Sequence, residues 1–210
     1  MKIVDIKKWN RKKYYEYYKN YDNPCFSVDL NIDIDLLIRI VKTKNLKFFP
    51  TFIYCLMKAM NDIDEFKYRV RGDTVILHDF IHPSFTVLNE TDNYVFCYSE
   101  YVEDFHVFYE NVLENIKKAL NSDNLEDEPG KDDLVFISSL PWFSFNSVTH
   151  PFSKDDPHSI PRISFGKYFL ENSIYKLPLS IQIHHGLCDG LHIARLIDGI
   201  NQSVKALESI

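Results

Sequence analysis

Leu177 to Ile200, LPLSIQIHHGLCDGLHIARLIDGI, decides the fold. Leu177, Leu179, Ile181 and Ile183 alternate with Pro178, Ser180, Gln182 and His184, the two-residue period of a half-buried strand. The period then changes. Leu191, Ala194, Ile197, Ile200, Val204 and Leu207 recur at helical spacing, and Asp189 stands where an N-cap belongs. A strand that breaks at a glycine and restarts as a helix carries His184, His185, Asp189 and Gly190 at the break. Rigid supports on both sides suit a site that needs fixed geometry. Parity, continued one step, sets His185 on the side of Ile183 and His184 on the side of Gln182. His185 is therefore the expected buried imidazole, and a neutral imidazole is the commonest general base near pH 7. On the local pattern alone, two satisfied structural histidines are the simpler reading.

Cys25 to Ile34 alternates as a strand, and Asp35 to Lys44 is periodic as a helix. Pro50 is expected at the first position of the next helix. Phe66 to Arg71 and Thr74 to Asp79 pair as a hairpin turning at Gly72-Asp73. Ser84 to Leu88 and Tyr94 to Ser99 are strands, and Phe105 to Leu120 is a long amphipathic helix. Asn121 to Asp133 reads as a solvated acidic turn. Leu134 to Phe145 is expected as a strand interrupted at Pro141. Pro151 to Pro161 is irregular, and Arg162 to Phe169 is a strand. The fold class that follows is α/β: one domain over residues 1–210, a two-layer sandwich with a mixed, largely antiparallel sheet.

The 210 residues are 45% hydrophobic and 26% charged, ordinary for a chain that buries a large core. A net charge of -6 offers no basic field for nucleic acid. The N-terminus is too charged for a signal peptide, and the most apolar window, Phe48 to Met60, is far short of a membrane span. Four scattered cysteines without metal-type spacing point to reduced thiols and a cytoplasmic protein, with no metal.

His184-His185-x-x-x-Asp189-Gly190 resembles the HHxxxDG motif of CoA-dependent acyltransferases. The form HHGLCDG followed by LHIAR is most similar to the trimeric chloramphenicol acetyltransferases. Ile6 to Tyr18 (IKKWNRKKYYEYY), Phe48 to Ile53 (FFPTFI), Ser99-Glu100-Tyr101, Leu140 to Ser147 (LPWFSFNS) and Gly166-Lys167-Tyr168 resemble further landmarks of that family, in family order.

The resemblance implies acetyl transfer from acetyl-CoA, a co-substrate and not a permanently bound cofactor, to an acceptor hydroxyl. It implies His185 as general base, Ser147 as the hydroxyl that stabilises the oxyanion, and Asp189 held by Arg11 to order the site. Ser164 stands where the family has a threonine that positions a water. Lys167 and Tyr168 match the CoA side, and Phe26, Tyr94, Val95 and Arg162 the acceptor pocket. A homotrimer with active sites at subunit interfaces is implied as well. Three departures touch acceptor recognition: Val95 in place of a serine, Arg162 in place of an apolar residue, and Val148-Thr149-His150-Pro151 in place of F-N-L-N. The alternatives are the same chemistry on a different, anionic hydroxyl or amine acceptor, and a non-catalytic trimeric binding protein.

Overall fold

A computed structural model describes residues 1–121, 130–153 and 158–210. The elements run β1 (Lys2–Ile3), α1 (Lys12–Tyr18), β2 (Cys25–Asp33), α2 (Asp35–Thr43), α3 (Phe48–Asn61), α4 (Asp64–Lys67), β3 (Tyr68–Arg71), β4 (Thr74–Leu77), β5 (His82–Leu88), β6 (Tyr94–Tyr98), α5 (Phe105–Leu120), β7 (Leu134–Leu140), β8 (Arg162–Gly166), β9 (Phe169–Glu171), β10 (Ile174–His184) and α6 (Gly190–Ala206). Among the described residues they form a seven-stranded sheet in the order β2-β10-β8-β7-β5-β6, with β9 on β10, and a small sheet β1-β4-β3. β7 pairs parallel with β5 and β8, and the remaining ladders are antiparallel. The sheet is mixed and largely antiparallel, as its alternating strands require.

The register sorts the sheet into two faces, because paired residues project to the same side. One row reads Cys97, Phe85, Ile137, Ile163, Ile181, Val28 and packs against the helices. The opposite face carries two polar rows: Ser84, Phe136, Arg162, Gln182, Ser27, and Ser138, Ser164, Ser180, Asp29. Ser84, Arg162, Gln182, Ser164 and Ser180 are nevertheless buried. A sheet with both faces covered, one apolar and one polar, is what positions the site.

The boundaries differ from the sequence expectations in four places. Phe66 and Lys67 belong to α4, where the Phe66 N–H donates to Ile63 O and closes a helical turn, so the hairpin runs from Tyr68 to Leu77 and not from Phe66 to Asp79. Pro50 is the third residue of α3, not the first; the N–H groups of a whole first turn lack intrahelical partners, so proline fits there too. β7 stops at Leu140, and 141–145 is not strand, because proline cannot continue the ladder. Residues 162–169 divide into β8 and the start of β9 at Lys167, whose N–H donates to Phe143 O at 2.8 Å. The acidic turn 121–133 and the irregular stretch 151–161 lie partly outside the described residues.

In the helical layer, a β-carbon on Gly199 would sit 2.9 Å from the Ala59 β-carbon, so α6 and α3 cross at a point with no room for a side chain. We expect Gly199→Val to destabilise the protein by about 1–3 kcal/mol, the usual range for overpacking. The thermal midpoint should then fall by roughly 2–4 °C per kcal/mol for a chain of this size. Differential scanning calorimetry reads it, and an unchanged midpoint would mean that the two helices are not tightly packed.

Candidate active site

The site is built at the junction of β10 and α6. β10 keeps its ladder with β2 up to His184 opposite Cys25; then His185 N–H donates to Pro24 O at 2.8 Å and the chain turns. A β-carbon on Gly186 would meet the His184 ring at 2.9 Å and the Tyr15 α-carbon at 3.0 Å. Only glycine lets α1 approach the turn this closely.

Arg11, at the N-cap of α1, clamps the junction. Its Nη1 donates to Asp189 Oδ2 at 2.9 Å, its Nη2 to His185 O and its Nε to Gly186 O, both at 3.4 Å. Arg11 is 6% exposed. Burial pushes the Asp189 carboxyl upward, but the Arg11 hydrogen bond and the charges of His192 and Arg11 outweigh it and hold the group below the ordinary carboxylate range. Asp189 also caps α6 by accepting from Leu191 N–H, while His192 Nδ1 accepts from Asp189 N–H and its Nε2 faces Glu65 at 3.3 Å.

The two histidines exchange the environments that parity predicts. His184 is the buried one, 4% exposed, and His185 is half-buried. The strand ends at His184, so alternation cannot be carried into His185. The polar face is also covered, so being on the side of Gln182 does not mean exposure. His184 Nδ1 accepts from Gly186 N–H at 3.0 Å, and burial pushes its pKa down to about 4.

His185 is held by rings. Tyr18 stacks on it at 4.5 Å and 18°, and Phe26 leans on it at 4.3 Å and 39°. His185 Nδ1 faces Cys188 O at 3.4 Å. A carbonyl only accepts, so this contact requires the hydrogen on Nδ1 and leaves Nε2 as the basic nitrogen. Sequence reasoning missed Tyr18. Its signal was the repeated tyrosine pattern YYEYY, in which nothing distinguishes the residue that reaches the histidine.

The other residues singled out from the sequence divide between two places. Ser164 lies in the polar row, fully buried, with Oγ 3.0 Å from His150 Nε2. Arg162, in the next row, stands over the rings of Phe152 (4.4 Å) and Phe136 (5.7 Å). Ser147 is exposed, and the following N–H, of Val148, donates to Asp29 Oδ1 at 3.4 Å. Asp29 is opposite Ser180, so about 13 Å of β10, four residues at 3.3 Å, separates the Ser147–Ser164 region from His184. The single chain does not bring Ser147 and His185 together. Lys167 and Tyr168 are exposed, with the Tyr168 ring against Phe48 and Tyr175. Tyr94 lines an apolar cleft of about 910 Å³ with Phe49, Leu88, Phe96 and Trp142, whereas Val95 pairs with Val87 and is buried on the opposite side of β6 from Tyr94.

The chain matches the family model described as "CAT: Chloramphenicol acetyltransferase" over residues 1–201. It is 36% identical to the chloramphenicol acetyltransferase of Clostridium perfringens, covering 99% of this chain and 96% of that one. Among solved structures it is similar to a chloramphenicol acetyltransferase with TM-score 0.83 and 23% identity, covering 97% of this chain and 99% of that one. It is also similar to the dihydrolipoamide acetyltransferase of Azotobacter vinelandii, with TM-score 0.68 and 16% identity, covering 94% of this chain and 87% of that one. The structural likenesses establish a shared CoA-dependent acyltransferase fold.

The depressed His184 pKa has a measurable consequence. Between its ordinary value near 6.5 and about 4, the unfolded chain binds a proton at this position that the folded chain refuses. The His184 contribution is therefore fully present above pH 6.5 and is lost as pH falls towards 4, by on the order of 3 kcal/mol at 1.36 kcal/mol per unit. His184→Asn keeps a side-chain acceptor for Gly186 and cannot titrate. Urea unfolding across pH 4 to 7 should show a shallower loss of stability on acidification in this variant than in wild type, and parallel curves would contradict the assignment.

Proposed function

The chain belongs to the chloramphenicol acetyltransferase family, and from that premise we propose His185 as the general base of its acetyl transfer. The protein is an acetyl-CoA-dependent O-acetyltransferase of the chloramphenicol acetyltransferase type. The observation that carries the residue assignment is the clasp on His185: two aromatic rings fix the imidazole plane, and the Cys188 carbonyl selects the tautomer with a basic Nε2. A base with its ring already oriented does not have to be ordered during the reaction.

In the proposed reaction, Nε2 of His185 takes the proton of an acceptor hydroxyl as the hydroxyl oxygen attacks the thioester carbonyl of acetyl-CoA. The carbon–oxygen bond forms and the carbonyl becomes an oxyanion, to which the Ser147 hydroxyl donates. The intermediate collapses, the carbon–sulfur bond breaks, and the leaving thiolate takes the proton back from His185. No covalent bond to the enzyme is needed. A positioned base is worth about 10²–10⁴-fold, and an oxyanion donor about 10²–10³-fold. Arg11 and Asp189 carry no proton in this scheme; they hold the loop that holds the base.

We assign the default acceptor as chloramphenicol, the substrate named for the curated relative from Clostridium perfringens. The apolar cleft beside Tyr94 has the size and lining that suit a small aromatic molecule. Lys167 and Tyr168 are assigned to the CoA side. The working unit is proposed as a homotrimer in the cytoplasm. In it, His185 of one copy meets the exposed Ser147 of the next, with Ser164 buried in the sheet behind it, in a head-to-tail arrangement that closes as a ring. Two features support the trimer: Ser147 and His185 are separated within one chain, and Tyr14, Tyr17, Tyr94, Trp142 and Phe143 are exposed. Among the described residues, no helix is long and apolar enough to cross a membrane.

One experiment tests base, oxyanion donor and assembly together. With acetyl-CoA and chloramphenicol, release of free thiol should fall by about 10²–10⁴-fold in His185→Ala and by about 10²–10³-fold in Ser147→Ala, with circular dichroism unchanged. Co-refolding the two inactive variants in equal amounts should restore about a quarter of the sites, because random assembly pairs an intact histidine with an intact serine from the next copy at that frequency. No restoration would place both groups in one chain, and full activity in His185→Ala would remove the base.

A further inference from the structure

Ser164 is 0% exposed in the middle of β8, yet its strand neighbours leave its side chain slack. Across the ladders it faces Ser138 on β7 and Ser180 on β10, two side chains as small as itself. A serine has three staggered rotamers, and nothing about its own branching selects one. A threonine at such a position would be stiffer, because two heavy atoms on the β-carbon restrict χ1. The hydrogen bond that the structure gives Ser164 goes to His150 Nε2, 3.0 Å away. His150 lies on the segment that follows Ser147, a segment fixed to the sheet where the Val148 N–H meets Asp29.

We propose that His150 is a positioning residue for the acetyl transfer: it accepts the Ser164 hydroxyl hydrogen at Nε2 and fixes the serine rotamer, and with it the orientation of the hydroxyl that the polar row sets beneath the segment carrying Ser147. This rests on the proposed role of Ser164 in the site. The charged groups facing His150 are Arg162 from β8 and Asp29 from β2. Burial pushes the His150 pKa down, the Arg162 charge pushes it further and Asp29 opposes both, with a net lowering that keeps the ring neutral at pH 7. A neutral imidazole has a nitrogen that can accept, which a protonated ring lacks. The hydrogen bond thus does by polar contact what a γ-methyl would do by bulk. Two nearby residues, a serine and a histidine, together supply one oriented hydroxyl.

The test compares wild type, His150→Leu, and the double variant His150→Leu/Ser164→Thr, using thiol release from acetyl-CoA with chloramphenicol. His150→Leu should lower kcat by about 3- to 10-fold, the worth of one neutral hydrogen bond, while KM for acetyl-CoA stays within about twofold. Adding Ser164→Thr should return kcat to within about twofold of wild type, because the methyl again selects a rotamer. A merely structural histidine would not be rescued by a methyl on β8. His150→Ala gives the same comparison should the leucine variant fail to fold. An unchanged kcat in the His150 variant, or a double variant no faster than the single one, would overturn the inference. A wild-type protein without turnover would instead strike the parent reading of the site.

Discussion

The ion pair between Arg11 and Asp189 is the constraint on which the rest of the site depends. One guanidinium reaches the carboxylate that caps α6 and two carbonyls of the turn before it, so a single side chain ties the N-terminal helix to the end of β10 and the start of α6. Its near-complete burial makes the arrangement all-or-none. Removing Asp189 leaves the buried guanidinium uncompensated, which costs up to about 3–5 kcal/mol, whereas removing Arg11 leaves a carboxylate that is partly exposed and costs less. The same clamp brings Tyr18 over His185, since Tyr18 is on the helix that Arg11 begins. Fold stability and imidazole orientation are therefore carried by the same few atoms.

Much of this was legible in the sequence, for reasons that can be given residue by residue. The switch from two-residue periodicity before the double histidine to helical periodicity after Gly190 marks β10 and α6, and the apolar face of α5 marks Phe105–Leu120 to the residue. The family followed from ordered landmarks and not from any one motif. Parity failed at His184 and His185 because it assumes a strand that continues and a sheet with one wet face. Here the strand stops at His184, and Val148, His150 and Phe152 lie on the polar face through Asp29, Ser164 and Arg162. Val95 shows a different limit. A resemblance matches positions, whereas the register decides direction, and Val95 is buried on one side of β6 while Tyr94 stands exposed on the other. Tyr18 was invisible for a third reason: its value lies in a contact 167 positions along the chain, and local pattern does not encode that.

The covered polar face explains why the chain keeps hydroxyls and a guanidinium where a sandwich of this type could hold apolar side chains. Ser138, Ser164, Ser180, Gln182, Ser27 and Arg162 form two rows that meet the 147–153 segment, and the chemistry proposed for the chain needs oriented hydroxyls at that place. Buried polar groups are tolerated when they are hydrogen-bonded, as Ser164 is to His150 and Gln182 through its Nε2 to Ser27, although Gln182 Oε1 has no partner among the described residues. The apolar helical face supplies the stability, and the polar face is left to serve the substrates.

The central claim is that the Arg11 clamp holds His185 in the tautomer with hydrogen on Nδ1 and a bare, basic Nε2. Nitrogen-15 NMR of histidine-labelled protein at about pH 8, above the ordinary imidazole range, measures this directly. The account predicts a protonated Nδ1 and an unprotonated Nε2 for His185 in the native protein, assigned by loss of the signals in His185→Ala, with both tautomers populated in Arg11→Met. Hydrogen on Nε2 in the native protein, or an unchanged His185 spectrum without Arg11, would contradict it.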